Sequence, residues 1–352
     1  VSGLVIEETA SHIRLRESGG KEHQLPRAEI EQFRASHLSL MPEGLEKELN
    51  TQDVSDLLAY VSQAIGPVQN PAATVTLPRY PSQIAAFLLD ESQSTEVRQQ
   101  VIDQRPGMGP AIVGLLVQDL RGGDNDALDQ CMPWIWRVAL AVGRRNDGGE
   151  IRDLLEQSLP EVGSPLADWQ AVVVGGGIIN GLAHVGRWPG RRVGGILDAA
   201  PSLRPRWQQT LNLAAAMADD SNVRAGTRYD ALRIVALSDP STAIPHLEKY
   251  LKHDSLRQLQ MGAVSGLADI ETPAVSGLLI QSLSFLKNKN RQLAIEALLR
   301  THTRCDALQR ATRENQNLVK TDELETLLDH RDDKIASNAV RIIQSLKIPN
   351  TN

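Results

Sequence analysis

Arg228-Tyr-Asp-Ala-Leu-Arg-Ile234 is the stretch that decides the fold, because later stretches of the chain repeat its shape. The copies are Arg257-Gln-Leu-Gln-Met-Gly-Ala263, Arg291-Gln-Leu-Ala-Ile-Glu-Ala297 and Asp333-Lys-Ile-Ala-Ser-Asn-Ala339. Each reads as a helix that opens on a charged residue and carries small residues about one turn apart. Small residues at this spacing share a helix face and let a neighbouring helix approach closely. Equivalent positions are 29, 34 and 42 residues apart, which indicates an irregular helical repeat.

The rest of the chain supports a mostly helical architecture. Sixteen helical segments are predicted between residues 83 and 346, joined by short loops rich in Gly, Pro, Asp and Asn. With 5 Trp, 4 Tyr and 3 Phe among 352 residues, the core must consist mainly of Leu, Ile, Val and Ala. The pattern resembles HEAT-like repeats, whose helix pairs stack into an α-solenoid. We therefore predict a mainly α fold, an α-solenoid preceded by a small α+β fragment.

The first 64 residues have a different pattern. Residues 4–8 and 12–16 read as short strands, 22–25 as a third strand, and Ser18-Gly-Gly20 as the turn between the last two. A helical turn follows Pro26, then a loop, then a helix that starts near Thr51 and ends near residue 64. Predicted domains are this fragment (1–64), a Pro-rich linker (65–82) and the helical array (83–346).

The loop Ser39-Leu-Met-Pro-Glu-Gly-Leu45 carries the most specific signal in the chain. With the preceding ribbon and the following helix, it resembles the closing portion of a class I c-type cytochrome, in the form found in the planctomycete- and verrucomicrobia-type haem-binding domain. The resemblance implies that Met41 is an axial ligand of haem iron and that Pro42 restricts the adjacent backbone. It also implies that Tyr60 lies on a helix face packed on the haem side.

The chain departs from that family because it lacks the Cys-x-x-Cys-His motif through which haem is attached. Its two cysteines, Cys131 and Cys305, both fall in the helical region. Haem c is therefore expected only in an intact parent protein, and none in this chain as given. The chain opens on Val1 rather than Met, so we expect the attachment half to lie upstream of Val1. The alternative is a haem-less relic of the domain.

Composition excludes other classes of protein. The chain has 37 basic and 43 acidic side chains, a net charge of −6, so a chain-wide surface for nucleic acid is not expected. Its first 62 residues hold 11 acidic and 6 basic residues, which is most of that excess. The 8 histidines are scattered, and none forms a pair at metal-ligand spacing. No apolar run is long enough to predict a membrane span.

Two further features leave alternatives open. Gly175-Gly-Gly177 invites a dinucleotide-binding interpretation, but the glycine spacing fails and the better prediction is a buried helix with close helix packing. The five tryptophans are predicted to be buried anchors. A basic group flanks two of them and forms either a local positive patch for an acidic partner or a solvated turn region; it comprises Arg187, Arg191, Arg192, Arg204 and Arg206.

Two functions compete. The resemblance implies the C-terminal portion of an electron-transfer protein with a helical docking scaffold, an extracytoplasmic location, and a redox partner or fused dehydrogenase domain. In that case the chain itself has no catalytic activity. The alternative is a haem-less HEAT-like scaffold whose concave surface binds a partner protein. A third, enzymatic hypothesis rests on the glycine run alone and requires a strand before Gly175.

Overall fold

The computed structural model describes residues 1–9, 12–17, 20–30, 77–118, 120, 125–252 and 255–346. Met41, Pro42 and Tyr60 lie outside the described residues, as do the Met loop and the helix predicted after it. The described part comprises a three-stranded ribbon and a long helical array. The mainly α fold with a small strand-containing fragment at its start is therefore confirmed.

The ribbon is antiparallel, with strands β1 (Leu4–Glu8), β2 (His12–Arg16) and β3 (Glu22–Pro26) in that order. It forms because β2 alternates apolar and polar residues, so Ile13 and Leu15 point to the buried face. In the ladder these two residues pair with Leu25 and His23 of β3. A 3₁₀ turn at Arg27–Glu29 ends the ribbon.

The helices of the array begin after Pro78. The first eight α-helices are α1 (Pro81–Leu89), α2 (Thr95–Asp103), α3 (Gly109–Leu116), α4 (Asn125–Arg145), α5 (Gly148–Ser158), α6 (Asp168–Ala171), α7 (Asn180–His184) and α8 (Pro189–Ala199). The others are α9 (Arg204–Asp219), α10 (Ala225–Val235), α11 (Pro240–Leu251), α12 (Arg257–Ala268), α13 (Ala274–Ser282), α14 (Asn288–Leu299), α15 (His302–Glu314), α16 (Thr321–Glu325) and α17 (Asp333–Leu346).

Local signals set many helix starts. The side chain of Ser94 accepts a hydrogen bond from the Val97 amide, and that of Asp147 accepts one from the Glu150 amide, so each satisfies a free N–H at a helix start. Five helices, among them α1 and α11, have Pro in the first turn, where its missing N–H costs nothing. Helix boundaries therefore agree with the predicted ones to within a few residues at most ends.

The array has two layers. The inner layer consists of α4, the helical segment of residues 172–184 that includes α7, and then α10, α12 and α14, packed side by side in that order. Helices α9, α11, α13 and α15 lie against the last three of these in an outer layer. One hydrophobic core runs between the layers from Ile84 to Ile343. This helix-pair stacking is the arrangement predicted from the repeats around Ala231 and Ala294. Among the described residues, no helix combines the length and the apolar character needed to cross a membrane.

The glycine run lies in a buried helical segment, as predicted, but that segment is a π-helix, Val172–Ile179, which joins α6 to α7. An ideal Cβ atom on Gly176 would lie 2.5 Å from Oδ1 of Asp230, and one on Gly143 would lie 2.5 Å from the carbonyl oxygen of Ile178. Only glycine permits these approaches to α10 and α4. The run therefore serves close packing, and the segment that leads directly into it is the helix α6 rather than a strand.

The ribbon docks on the inner layer. Ala28, in the 3₁₀ turn, is buried against Tyr229 of α10 and Met261 of α12. The hydroxyl of Thr95 in α2 donates a hydrogen bond of 3.2 Å to the carbonyl oxygen of Ile6 in β1. These contacts place the ribbon across the concave side of the array, where it forms one wall of the site described below.

Candidate functional site

A groove of about 1620 Å³ runs along the inner layer between the ribbon and the segment that precedes α17. Its floor is formed by successive inner helices, which contribute Trp136, Arg137, Leu140, Arg144, Asn180, His184, Tyr229, Arg233, Met261, Ser265, Leu293 and Ala297. Its walls are the ribbon and residues 325–335. The concave surface predicted for a solenoid is thus a deep groove with mixed apolar and charged lining.

Two arginines share one aspartate at the centre of the floor. Asp269 is 2% exposed; it forms an ion pair with Arg233, which is 4% exposed, and accepts a hydrogen bond of 2.9 Å from Nη1 of Arg300. Nη1 of Arg233 also donates to Oδ1 of Asn180 at 2.9 Å. One carboxylate faces two guanidinium groups, so this buried cluster keeps an excess positive charge.

Asp230 is a second buried carboxyl group near Arg233. Its carboxyl group is buried beside Gly176, and Oδ1 has no hydrogen-bond partner among the described residues. Burial raises the pKa of Asp230 well above its ordinary value, although the charge of Arg233 opposes the rise. The neutral carboxylic acid therefore persists to a higher pH at Asp230 than at an exposed aspartate.

Arg137 adds a second buried cation near the ribbon. It is 9% exposed, donates a hydrogen bond of 3.1 Å to the side chain of Gln99, and lies 5.5 Å from the ring centroid of Trp134. In the described part of the chain it forms no ion pair with a carboxylate. Burial is the largest influence on the pKa of Arg137 and lowers it, and the charge of Glu7 partly offsets this.

His184 lies where the positive charges converge. Burial within the groove lowers the pKa of His184 to about 4, and the charges of Arg331, Arg144, Arg233 and Arg27 add to the effect. The imidazole is therefore neutral at pH 7. The side chain is exposed to the groove, and the nearby arginines add positive electrostatic potential around it.

The acidic residues of the groove are concentrated on one wall. Of the seven lining carboxylates, four lie within residues 325–335, at Glu325, Asp329, Asp332 and Asp333; Glu8 lies in the ribbon, and Asp269 and Glu296 lie on the floor. The floor is basic and this wall is acidic. An elongated ligand would therefore meet different charges on its two sides.

The basic group predicted around Trp188 and Trp207 does not form a free patch. Arg191 pairs with Glu271, Arg204 pairs with Asp198, and Arg206 donates to main-chain carbonyls. Instead, the guanidinium of Arg300 lies 3.9 Å from the ring centroid of Trp188. The predicted burial of the tryptophans holds for Trp134, Trp136 and Trp207, whereas Trp169 and Trp188 are half-buried.

In the part of the chain that the structure describes, neither cysteine is placed to attach haem. Cys131 and Cys305 are 1% and 0% exposed in separate packed helices, so neither can form a thioether to a haem edge. Burial raises the pKa of the Cys305 thiol, which makes it less reactive. Among the described residues, no group of His, Cys, Asp and Glu side chains could hold a metal ion. The Met41 ligand proposal lies outside the described residues.

Sequence reasoning missed the basic floor. Its arginines are spread along the chain, from Arg137 and Arg144 in α4 to Arg233 in α10 and Arg300 after α14, and no local motif marks them. A usable signal does exist in the repeats. Arg233 occupies the sixth position of its repeat, and the same position holds Gly262 and Glu296 in two of the copies. An arginine at a repeat position where the copies differ is the signal that could have drawn attention to it.

Comparisons with known proteins assign no family. No family model matches the chain, and no curated protein matches it. The chain is similar to two engineered proteins whose crystal structures were determined by the Northeast Structural Genomics Consortium. The first is 18% identical; the aligned region covers 67% of this chain and 96% of the engineered protein, with a TM-score of 0.35. The second is 16% identical; the aligned region covers 76% of this chain and 79% of the engineered protein, with a TM-score of 0.28. Likeness at this level carries no functional argument.

Proposed function

We propose that this chain is a binding scaffold that holds an acidic segment of a partner protein in its concave groove. The observation that carries the proposal is the basic floor in a chain whose net charge is −6. Arg137 is buried and has no carboxylate partner among the described residues, and Arg233 and Arg300 share one carboxylate. Buried positive charge of this kind is costly unless an anion offsets it, so we place the anion of the ligand in this groove.

The shape of the groove supports a peptide segment rather than a small molecule. At about 1620 Å³ it exceeds the usual volume of a small-ligand pocket, roughly 300–1,000 Å³. Apolar lining residues such as Leu140, Met261 and Leu293 alternate with the charges, which offers contacts for apolar side chains of the same segment. The rigid inner helices hold these groups in place.

Photo-crosslinking tests the proposal. A peptide of ten glutamates bearing a benzophenone should label the groove saturably, with adducts on residues such as Met261 and Leu140. A peptide of ten lysines is the control and should not label these positions. Raising the salt concentration to about 1 M should weaken labelling, because charge interactions are screened within about 3 Å. Labelling spread over the outer helices, or equal for both peptides, would refute the proposal.

A second candidate is the electron-transfer scaffold implied by the cytochrome resemblance. The feature that favours it is the ribbon, since β1, β2 and β3 stand in the order that the resemblance requires before the Met41 loop. In this proposal a parent protein carries haem c upstream of Val1, Met41 is its distal ligand, and the array docks a redox partner outside the cytoplasm.

Sequencing the gene upstream of Val1 separates the two candidates. An in-frame Cys-x-x-Cys-His, with a reduced c-type α-band in the longer protein that Met41→Ala disturbs, supports electron transfer. A genuine start codon at Val1 would remove the attachment site and leave the scaffold alone. The same groove serves as docking surface in either case.

A further inference from the structure

We propose that Arg144, His184 and Arg331 form a subsite that binds one oxyanion group, a carboxylate or a phosphate, of the ligand in the groove. This inference rests on the proposed scaffold function and names the chemistry that one part of the groove recognises. Guanidinium groups suit both anions, because their planar fork of N–H donors matches pairs of oxygen atoms.

Helix packing brings the first two residues together. Arg144 follows Gly143 in α4, and His184 lies one turn after Gly181 in α7. An ideal Cβ atom on Gly181 would lie 2.7 Å from the main-chain nitrogen of Arg144 and 2.7 Å from the Cα atom of Gly143. The two backbones are thus in direct contact beside the site, and both side chains line the groove.

The third residue comes from the opposite wall. The loop after α7 meets the segment before α17, since an ideal Cβ atom on Gly186 would lie 4.0 Å from Oδ2 of Asp332. Arg331 precedes Asp332 and lines the same groove. Its charge is the strongest cationic influence on His184. A ligand group at this point would therefore be held from two sides.

Neither of the two arginines is paired with another described side chain. Among the described residues, the guanidinium groups of Arg144 and Arg331 form no ion pair or hydrogen bond, and both side chains are exposed to the groove. The neighbouring Arg145 shows the contrast, because it makes two hydrogen bonds of 2.7 and 2.8 Å to the carboxylate of Glu150. Arg144 and Arg331 keep all their donors available.

Other charged groups face this subsite and belong in its description. Arg233 and Arg27 add positive potential from the floor and the ribbon. Asp329, His330, Asp332 and Asp333 line the groove on the segment that carries Arg331. Despite their proximity in sequence, these carboxylates form no ion pair with either arginine in the described structure. A ligand oxyanion can therefore occupy the position.

The pKa of His184 is expected to respond to an anion bound at the subsite. It can donate one N–H to an oxyanion, and a bound negative charge offsets the repulsion from the surrounding arginines. Binding of an anion at the subsite should therefore raise the pKa of His184. A ligand bound elsewhere in the groove would leave the pKa of His184 close to its value in the ligand-free protein.

NMR titration of the ¹⁵N-labelled imidazole tests the inference, with His184→Gln used to assign the resonance. Inorganic phosphate should raise the pKa of His184 by about 1.

Two further titrations, with the decaglutamate peptide and with the same peptide carrying one phosphoserine, tell which oxyanion the subsite prefers. Arg144→Gln combined with Arg331→Gln should weaken binding of the preferred peptide by about tenfold. Arg187→Gln is the matched control, since this exposed arginine lies outside the groove lining.

The outcomes separate the subsite from the scaffold function. If phosphate shifts His184 but the decaglutamate peptide fails to label the groove, the subsite stands and the proposed function falls. If the peptide labels the groove while the pKa of His184 stays constant in every arm, the subsite is wrong. Equal losses in the Arg187 variant and in the double variant would also overturn it, because the effect would then be general charge attraction.

Discussion

Gly143 in α4 and Gly181 in α7 are in backbone contact: an ideal Cβ atom on Gly143 would lie 2.9 Å from the Cα atom of Gly181. No side chain larger than hydrogen fits between them. The contact fixes the distance between two inner helices and thereby sets the positions of Arg144 and His184. The architecture and the candidate site therefore share one packing constraint.

Gly181→Ala should destabilise the protein by about 1–3 kcal/mol, because the added methyl group must displace backbone atoms. The melting temperature measures this loss. Gly195→Ala is the control, since Gly195 lies in α8 with nothing within 4 Å of an ideal Cβ atom. That change should instead stabilise by about 0.5–1 kcal/mol through helix propensity. Similar effects of the two substitutions would contradict the backbone contact.

Asp269→Asn should destabilise the array by about 3–5 kcal/mol, because it leaves the buried Arg233 and Arg300 without a carboxylate. Urea unfolding monitored by circular dichroism gives the change. Asp198→Asn is a matched control at an exposed ion pair with Arg204, where a loss of about 0–1 kcal/mol is expected. A loss below about 1 kcal/mol for Asp269→Asn would show that the cluster does not need the negative charge.

Asp230→Asn should stabilise the protein increasingly as pH rises. The folded state holds the proton of Asp230 because its pKa is raised, whereas the unfolded chain releases it above its ordinary value of 3.8. The stability contributed by the neutral acid is therefore complete below that value and is lost as pH rises towards the raised pKa. The asparagine variant stays neutral and avoids this loss.

Melting temperatures of wild type and variant at about pH 4, 6 and 8 test this prediction. The difference should favour Asp230→Asn more strongly at each step. Asp90→Asn is the control, because hydrogen bonds from Ser92 lower the pKa of that exposed carboxyl group. Its replacement should bring no gain as pH rises. A gap between wild type and Asp230→Asn that is constant with pH would rule out a raised pKa at Asp230.

Ala28→Gln should release the ribbon from the array, because the longer polar side chain cannot fit between Tyr229 and Met261. Limited proteolysis should then cleave within residues 1–30 several times faster, while fragments of the array persist. Glu29→Gln places the same side chain at the exposed neighbouring position and should leave the cleavage rate unchanged. Equal rates in both variants would mean that Ala28 does not anchor the ribbon.

The elements of the fold could be predicted because their signals are local. The alternation around Ile13 and Leu15 indicates a strand half-buried on one face, and the buried residues of α17 recur at helical spacing from Ile335 to Ile343. Caps such as Ser94 mark helix starts within a few residues. The three strands, the helical repeats and the burial of the glycine run were all correctly predicted from such patterns.

The π-helical geometry of Val172–Ile179 could not be predicted, since the same residues suit an α-helix and only contacts with α4 and α10 distinguish the two. For the basic group around Trp188, the sequence left a positive patch and a solvated turn region as alternatives. The ion pair between Arg191 and the distant Glu271, which counts against a free patch, depends on the tertiary structure.

The sequence by itself determined the helical repeat and the ribbon, because backbone hydrogen bonding and the spacing of apolar residues are patterns that span only a few residues. It also determined the mainly aliphatic core, because the chain contains few aromatic residues. Only the tertiary structure decided the composition of the groove. Arg144, His184 and Arg331 line one groove because the contact between Gly143 and Gly181 brings α4 against α7 and the loop after α7 lies near Asp332. That convergence depends on contacts between residues far apart in the chain, which no local pattern records.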